Sequence, residues 1–406
     1  MSRRVVALGL VVAACGGSAA VPSSTSAGPE PVTTGPAAPA APAPGSGDST
    51  STQLAQDAGP SSRSAADPDL SLHSVPLDDV YFDTFDGGAV RLSDSTPELR
   101  ARLLDAIPPI DSPVYEAASA GDEWLDDEDL VLGYVAGGTA YAYAFRILNF
   151  HEIVNDVLDD VPVLISYCPL CRSAIVYDRR IEDRVLTFGN TSALYETDLV
   201  MVDRETSSYW WQVAGSSIVG TLTGTTLDAL PSSVSTWADW RTLHPETLVL
   251  SRDTGFNRNY DRDPFRGYEA IIDEGRFPFP VGDDARDPRL AASELVVGVD
   301  VGGTARAYPV GLLEGPTNDR IGDVDLVIFP TEGGASVFSA VVEGVALEFR
   351  QAGGVIEDVG TGSVWDATGV TIAGELAGTR LDPIGSRTTF WFAMVGAFPE
   401  VELWLP

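Results

Sequence analysis

The chain predicts a mainly β fold with a few short helices (α+β): two pseudo-symmetric β-rich repeats packed together, after a disordered N-terminal tether. Three observations predict it. From about residue 130 onward, short apolar runs rich in β-branched residues alternate with Gly, Asp and Asn, the pattern of strands and tight turns. The same words recur in the two halves of that stretch. The first 77 residues, by contrast, contain a signal-like start and then almost no large apolar side chain.

Met1-Ser2-Arg3-Arg4 followed by an apolar run from Val5 to Ala14 reads as an export signal. The run is too short to span a bilayer as a helix. It ends in Val12-Ala13-Ala14-Cys15, which resembles a bacterial lipobox, so residues 1–15 are expected to be a lipoprotein signal peptide with Cys15 as the lipidated residue. The expected location is the outer face of the cell membrane, with the lipid anchor making the membrane a partner. Residues 16–77, rich in Ala, Pro, Ser and Thr, cannot bury enough surface to offset their ordering entropy and are expected to form a disordered linker.

Residues 78–128 form a lead-in with one clear helix. Thr96 caps it, Pro97 suits its first turn, and Leu99, Leu103, Leu104 and Ile107 make its apolar stripe before Pro108-Pro109. Residues 129–251 are the first repeat. Its strand-like runs include Leu130–Val135, Val161–Tyr167 and Ala174–Tyr177, with short helices expected over Asn149–Val157 and Trp237–Leu243, the latter capped by Thr236. Residues 252–290 are an aromatic connecting loop, fit either to pack across both repeats or to line a pocket between them. Residues 291–406 are the second repeat.

The recurrence is direct. Val131-Leu132-Gly133, Gly137-Gly138-Thr139 and Tyr143 return as Val296-Val297-Gly298, Gly302-Gly303-Thr304 and Tyr308. Asp203, Thr206, Ser208 and Trp210 return as Asp358, Thr361, Ser363 and Trp365. Residues shared by both copies are expected to serve the fold. Reactive residues found once are candidates for function. On this alignment His151, Cys168, Cys171, Met201 and His244 oppose Glu314, Phe329, Glu332, Ile356 and Phe398.

The formal charge of −34 argues against nucleic acid, whose binding needs cations to neutralise phosphates. The acids are spread along the chain, as on a solvated surface. With Cys15 set aside, two cysteines remain, Cys168 and Cys171, in Tyr167-Cys168-Pro169-Leu170-Cys171-Arg172. Two cysteines at this spacing can close a small disulfide that tightens a turn, share a metal, or act as nucleophile and resolving thiol, with Arg172 as a cation for the thiolate. The sequence after them reads as β, which counts against a thioredoxin fold. His151-Glu152 begins like a zinc-protease helix, but Asn155 stands where the second histidine is required. His244 sits at a predicted helix end. Cys168, Cys171, His151 and His244, with Met201 adding a thioether, would make a sulfur–nitrogen set suited to Zn or Cu(I).

Asn149-Phe150-His151-Glu152-Ile153-Val154-Asn155-Asp156, Tyr167-Cys168-Pro169-Leu170-Cys171, Asp198–Thr206 and Trp237-Ala238-Asp239-Trp240, in this order, resemble the domain-of-unknown-function family 3179 over about residues 78–406. The resemblance implies an exported or lipid-anchored protein with no assigned activity. Some members of that family are selenoproteins, which tilts the cysteine motif toward redox chemistry and Cys168 toward the nucleophile or ligand role. Its second cysteine position often holds threonine, and Arg172 stands here in place of a familiar glycine.

Three readings follow. The first is a membrane-tethered, thiol-dependent oxidoreductase acting on a disulfide or peroxide, with Cys168 attacking, Cys171 resolving, and His151 or His244 moving protons. The second is a metal-binding protein using the same residues and Met201. The third is a non-catalytic exported binding module built on the aromatic loop and the groove between the repeats.

Overall fold

A computed structural model describes residues 67–406. The signal segment, Cys15 and most of the linker lie outside the described residues. Residues 67–77, expected to end the linker, pack on the body: Asp67 pairs with Arg100 at 2.9 Å, and His73 bridges to Val219. No helix among the described residues is long and apolar enough to cross a membrane.

The fold is mainly β with short helices. The helices are α1 (Pro97–Leu103), α2 (Ala118–Gly121), α3 (Phe145–His151), α4 (Trp237–Leu243), α5 (Tyr268–Asp273) and α6 (Trp391–Ala397). The Thr96 hydroxyl caps α1 by accepting from the Leu99 N–H at 3.2 Å. Helix α1 closes at Leu104, before Ile107, so the expected stripe is cut short. Helix α4 begins and ends where the sequence places it, with Thr236 accepting from the Asp239 N–H. The helix expected over 149–157 is corrected. The helical turn is α3, four residues earlier, and Ile153–Leu158 is a strand paired with Val161–Cys168. The reason is tertiary. Glu152 takes a left-handed conformation (φ 59°) that stops α3, and extended Asn155 clasps the backbone of Phe188 with two hydrogen bonds of 2.8 Å. Asn318 makes the same clasp on Phe349.

The two halves carry like-ordered elements. The hairpin Leu130–Ala136/Thr139–Ala144 is flanked by antiparallel Ser232–Thr236, which runs into α4, and by parallel Leu248–Leu250. The hairpin Leu295–Val301/Thr304–Pro309 is flanked by antiparallel Arg387–Phe390, which runs into α6, and by parallel Glu402–Leu403. Asp203 accepts from the Thr206 N–H (2.6 Å) and the Trp210 indole (2.9 Å). Asp358 accepts from the Thr361 N–H (2.6 Å) and the Trp365 indole (3.2 Å). These shared residues close turns and anchor buried tryptophans, which are core positions.

The halves also exchange contacts. The carbonyl of Cys171 accepts from the Phe390 N–H (2.8 Å), and Thr388 pairs with Ala174. The carbonyl of Glu332 accepts from the Thr236 N–H (2.9 Å). Each hairpin tip thus rests on the residue that caps a helix of the other half. This contact fixes where the cysteine turn sits.

Strand register refines the sequence alignment. In Val161–Cys168/Ser173–Asp178 the last pair is Cys168–Ser173. In Val324–Thr331/Gly334–Ser339 it is Thr331–Gly334. Thr331 therefore occupies the position of Cys168, and Phe329 that of Ser166. The ungapped alignment missed this because the cysteine turn is two residues longer.

Candidate metal centre

Cys168 is the last residue of the strand Val161–Cys168. Pro169-Leu170-Cys171-Arg172 form the turn, with Arg172 in a left-handed conformation (φ 49°), and Ser173 opens the return strand. The turn folds Cys171 back beneath itself. Asp198 begins the strand Asp198–Asp203, directly after a turn in which Glu196 and Thr197 both have positive φ. Cys168, Cys171 and Asp198 each offer a ligand atom within 4.8 Å of the others, so the group has the spacing to hold a metal ion. All three are buried, with exposures of 1%, 0% and 0%. Both cysteines are free thiols.

Hydrogen bonds orient the group. The Cys171 thiol donates to Asp198 Oδ1 at 2.8 Å, and Ser173 Oγ lies 3.0 Å from the same sulfur. Ser173 donates to the Gln212 side-chain carbonyl, and the Gln212 amide donates to Ser166 Oγ at 2.9 Å. The second Asp198 oxygen accepts from the Val213 N–H at 2.8 Å. Glu152 is buried nearby, with its carboxylate accepting from Asn190 Nδ2 at 2.7 Å.

The electrostatics are one-sided. Burial pushes the Asp198 carboxyl up to about 6, against bonds from Cys171 and Val213 that hold it down. Burial pushes Glu152 up to about 8, and the negative charge of Asp198 adds to it. Both thiols are raised, first by burial, with acid neighbours adding to the shift. The acidic neighbours that raise them are Asp198 for both thiols and Glu152 for Cys168. The expected cation is elsewhere: Arg172 pairs with Glu269 at 3.0 Å.

The structure brings Cys168 and Cys171 together, but not the histidines. His151 ends α3 and is not a member of the Cys168–Cys171–Asp198 group. Its Nδ1 donates to the Pro108 carbonyl (2.8 Å), so Nε2 of the neutral ring accepts from the Tyr260 hydroxyl (2.7 Å). Burial first, and Arg258 further, push its pKa down to about 4. Both ring nitrogens are used, which leaves no lone pair for a metal. His244 follows α4, packs tilted against Trp240 with ring centroids 4.1 Å apart, and lines a separate cavity of about 600 Å³ with Asp366 and Arg380. Met201 packs in the apolar cluster that contains both cysteines. It lies three residues from Asp198 on one strand, and so on the opposite face.

Asp198 and Glu152 were the residues that sequence reasoning missed as site members. Their signal was available. Neither has an acidic counterpart in the second half. Gln212 is also in the network.

A cavity of about 290 Å³ lies on the outer side of the cysteine turn, between Pro169 and Arg172, helix α3, and the loop carrying Tyr260, Phe265 and Tyr268. The aromatic connecting segment thus lines a pocket as well as packing.

Residues 104–401 match the model of a family described as protein of unknown function (DUF3179). No curated protein and no solved structure matches the chain.

Proposed function

The chain belongs to the protein family of unknown function DUF3179, and we propose that it is a metal-binding protein whose ligands are Cys168, Cys171 and Asp198. One observation carries the reading: two thiols and a carboxylate converge in the core, and no cation is among the groups that act on them most strongly. Ionising them there without a counter-charge costs several kcal/mol per group, on the order of 3 or more. A divalent ion removes that penalty, because its charge favours the deprotonated ligands. Two sulfurs and one oxygen favour Zn. Cu(I) prefers an all-soft set, so the carboxylate counts against it. Three protein ligands leave a fourth tetrahedral position open.

The thiol-exchange reading remains the alternative, supported by two free cysteines with Asp198 placed to accept a proton. Burial opposes it, since exchange requires an accessible thiolate. We also propose that the second half is a copy that carries no ligand set. The tether to the outer face of the cell membrane through Cys15 rests on the sequence alone, and metabolic labelling with a fatty acid tests it.

The experiment is metal analysis of the full chain purified without chelator. One equivalent of zinc is expected, falling to none in Cys168→Ser and Asp198→Ala. A protein that carries no metal and takes up neither zinc nor Cu(I) ends this reading. Thiols that react quickly with a disulfide reagent in that metal-free protein would favour exchange instead.

A further inference from the structure

The cavity beside His244 is the open member of a pair. Ser233 pairs with Gly133, and Arg387 pairs with Gly298, at the same place in the two halves. A side chain at Gly133 would strike the Trp240 ring, and one at Gly298 would strike Met394, so α4 and α6 lie on their hairpins alike. His244 and Phe398 follow those helices with the same backbone, at φ −131° and −132°. In the second half Arg387 is buried, and its guanidinium carbon lies 4.4 Å from the centre of the Phe398 ring. Its Nε and Nη1 have no hydrogen-bond partner, so the aromatic face is what meets the charge. In the first half that position is Ser233, and a cavity of about 600 Å³ stands where the long side chain would be, lined by Ser233, Trp240 and His244. Its far wall comes from the second half and brings Asp366 and Arg380, the charged side chains of the lining. Neither forms an ion pair among the described residues. Asp366 Oδ1 accepts from the Thr368 N–H (2.9 Å) and the Val370 N–H (3.1 Å), which leaves Oδ2 free. Burial lowers the His244 pKa, so its ring is neutral at pH 7.

We propose that this cavity binds a small guanidinium-bearing amino acid, of which free arginine is the simplest, with its guanidinium over the His244 ring as that of Arg387 lies over Phe398. Asp366 accepts from the guanidinium, and Arg380 meets the ligand's carboxylate. A cation over an aromatic face is attracted by the ring, and a guanidinium and a carboxylate join through paired hydrogen bonds. One acid, one base and an aromatic wall match a ligand that carries both charges. The volume is that of an ordinary small-molecule pocket, and it lies between two packed units, where such pockets concentrate. The formal charge of −34 favours the approach of a cation. The site shares no residue with the Cys168–Cys171–Asp198 group and does not depend on the metal reading.

The test is calorimetric titration of the full chain with L-arginine, with L-citrulline, which replaces the guanidinium by a neutral urea, and with agmatine, which lacks the carboxylate. One equivalent of arginine should bind saturably. Citrulline should bind at least tenfold more weakly. Agmatine should also bind more weakly, and Arg380→Gln should remove the difference between arginine and agmatine. Asp366→Asn, which keeps the Oδ1 acceptor of its turn, should weaken arginine about tenfold. Ser233→Arg should fill the cavity as Arg387 fills its twin and abolish binding, with an unchanged circular dichroism spectrum. His244→Phe should retain binding, whereas His244→Ala should lose about fivefold. Absence of saturable arginine binding overturns the proposal, and so does equal affinity for arginine and citrulline. Undiminished binding in folded Ser233→Arg overturns the placement. Should that variant not fold, the histidine pair decides: equal affinities in His244→Phe and His244→Ala overturn it.

Discussion

Two hairpins in each half differ in length, and the candidate metal centre lies in the difference. The strands Val161–Cys168 and Ser173–Asp178 are joined by four residues. Val324–Thr331 and Gly334–Ser339 are joined by two. The hairpin Phe188–Tyr195/Asp198–Asp203 continues past a bulge between Asn190 and Ala193 to reach Asp198. The hairpin Phe349–Ala352/Val355–Asp358 stops after four pairs, at Gly353-Gly354. Thr331 and Gly334 stand where Cys168 and Ser173 do. The second half has no residue in the place of Asp198. Most of the site thus lies in the two longer turns, while the flanking strands pair alike in both halves. Bulges and turn extensions of this kind re-aim side chains without rebuilding a sheet.

The comparison can be broken most directly by removing the difference. Replacing Pro169–Arg172 with the two residues Glu-Gly, as in the other hairpin, should leave circular dichroism unchanged and abolish zinc uptake. Retention of one equivalent of metal would show that the turn is not the site.

The shared residues predict the opposite behaviour. Asp203→Ala and Asp358→Ala each leave a buried indole N–H and a turn unbonded. Each should cost about 3 kcal/mol in urea unfolding without changing metal content. If Asp203→Ala alone strips the metal, the division between shared and unshared residues fails.

Gln212 tests the shell around the ligands. It braces Ser173, which lies against Cys171, and Ala367 follows Trp365 and Asp366 as Gln212 follows Trp210 and Trp211. Gln212→Ala should weaken zinc binding by up to roughly tenfold, less than the loss of a ligand's own hydrogen-bond partner, because it acts through Ser173. An unchanged affinity would limit the network to folding.

What could be read from the sequence follows from how local each feature is. The strand runs and α4 were legible because their signals lie within a few residues: β-branched alternation, and Thr236 before Trp237 with Pro245 after Leu243. Ile153, Val154 and Val157 suit a helix face as well as a strand. What decided for strand was the long-range clasp of Asn155 on Phe188. The cysteines were legible as a pair. Asp198 was not, because it is one of 59 acidic residues and only the longer hairpin buries it. The histidines were misleading because they are rare. They occur in the first half only, yet His151 satisfies both ring nitrogens in packing.

His151 supplies an expected effect of pH that leaves the metal site untouched. It is buried, while Glu314 opposite it in the alignment is exposed. Its folded pKa of about 4 lies below the ordinary value of 6.5 for a free histidine. Above pH 6.5 the ring is neutral in both states, and its contribution is fully present. Between pH 6.5 and 4 the unfolded chain takes up a proton that the folded protein refuses, with Arg258 adding to the refusal. Stability should therefore fall with pH by about 1 kcal/mol per unit across that window, and no further below it. In His151→Gln that component disappears, so the stability gap between wild type and variant should narrow on acidification from pH 6.5 to 4. A gap that stays constant with pH would mean that His151 is not held neutral, and would reopen it as a proton carrier for the first half.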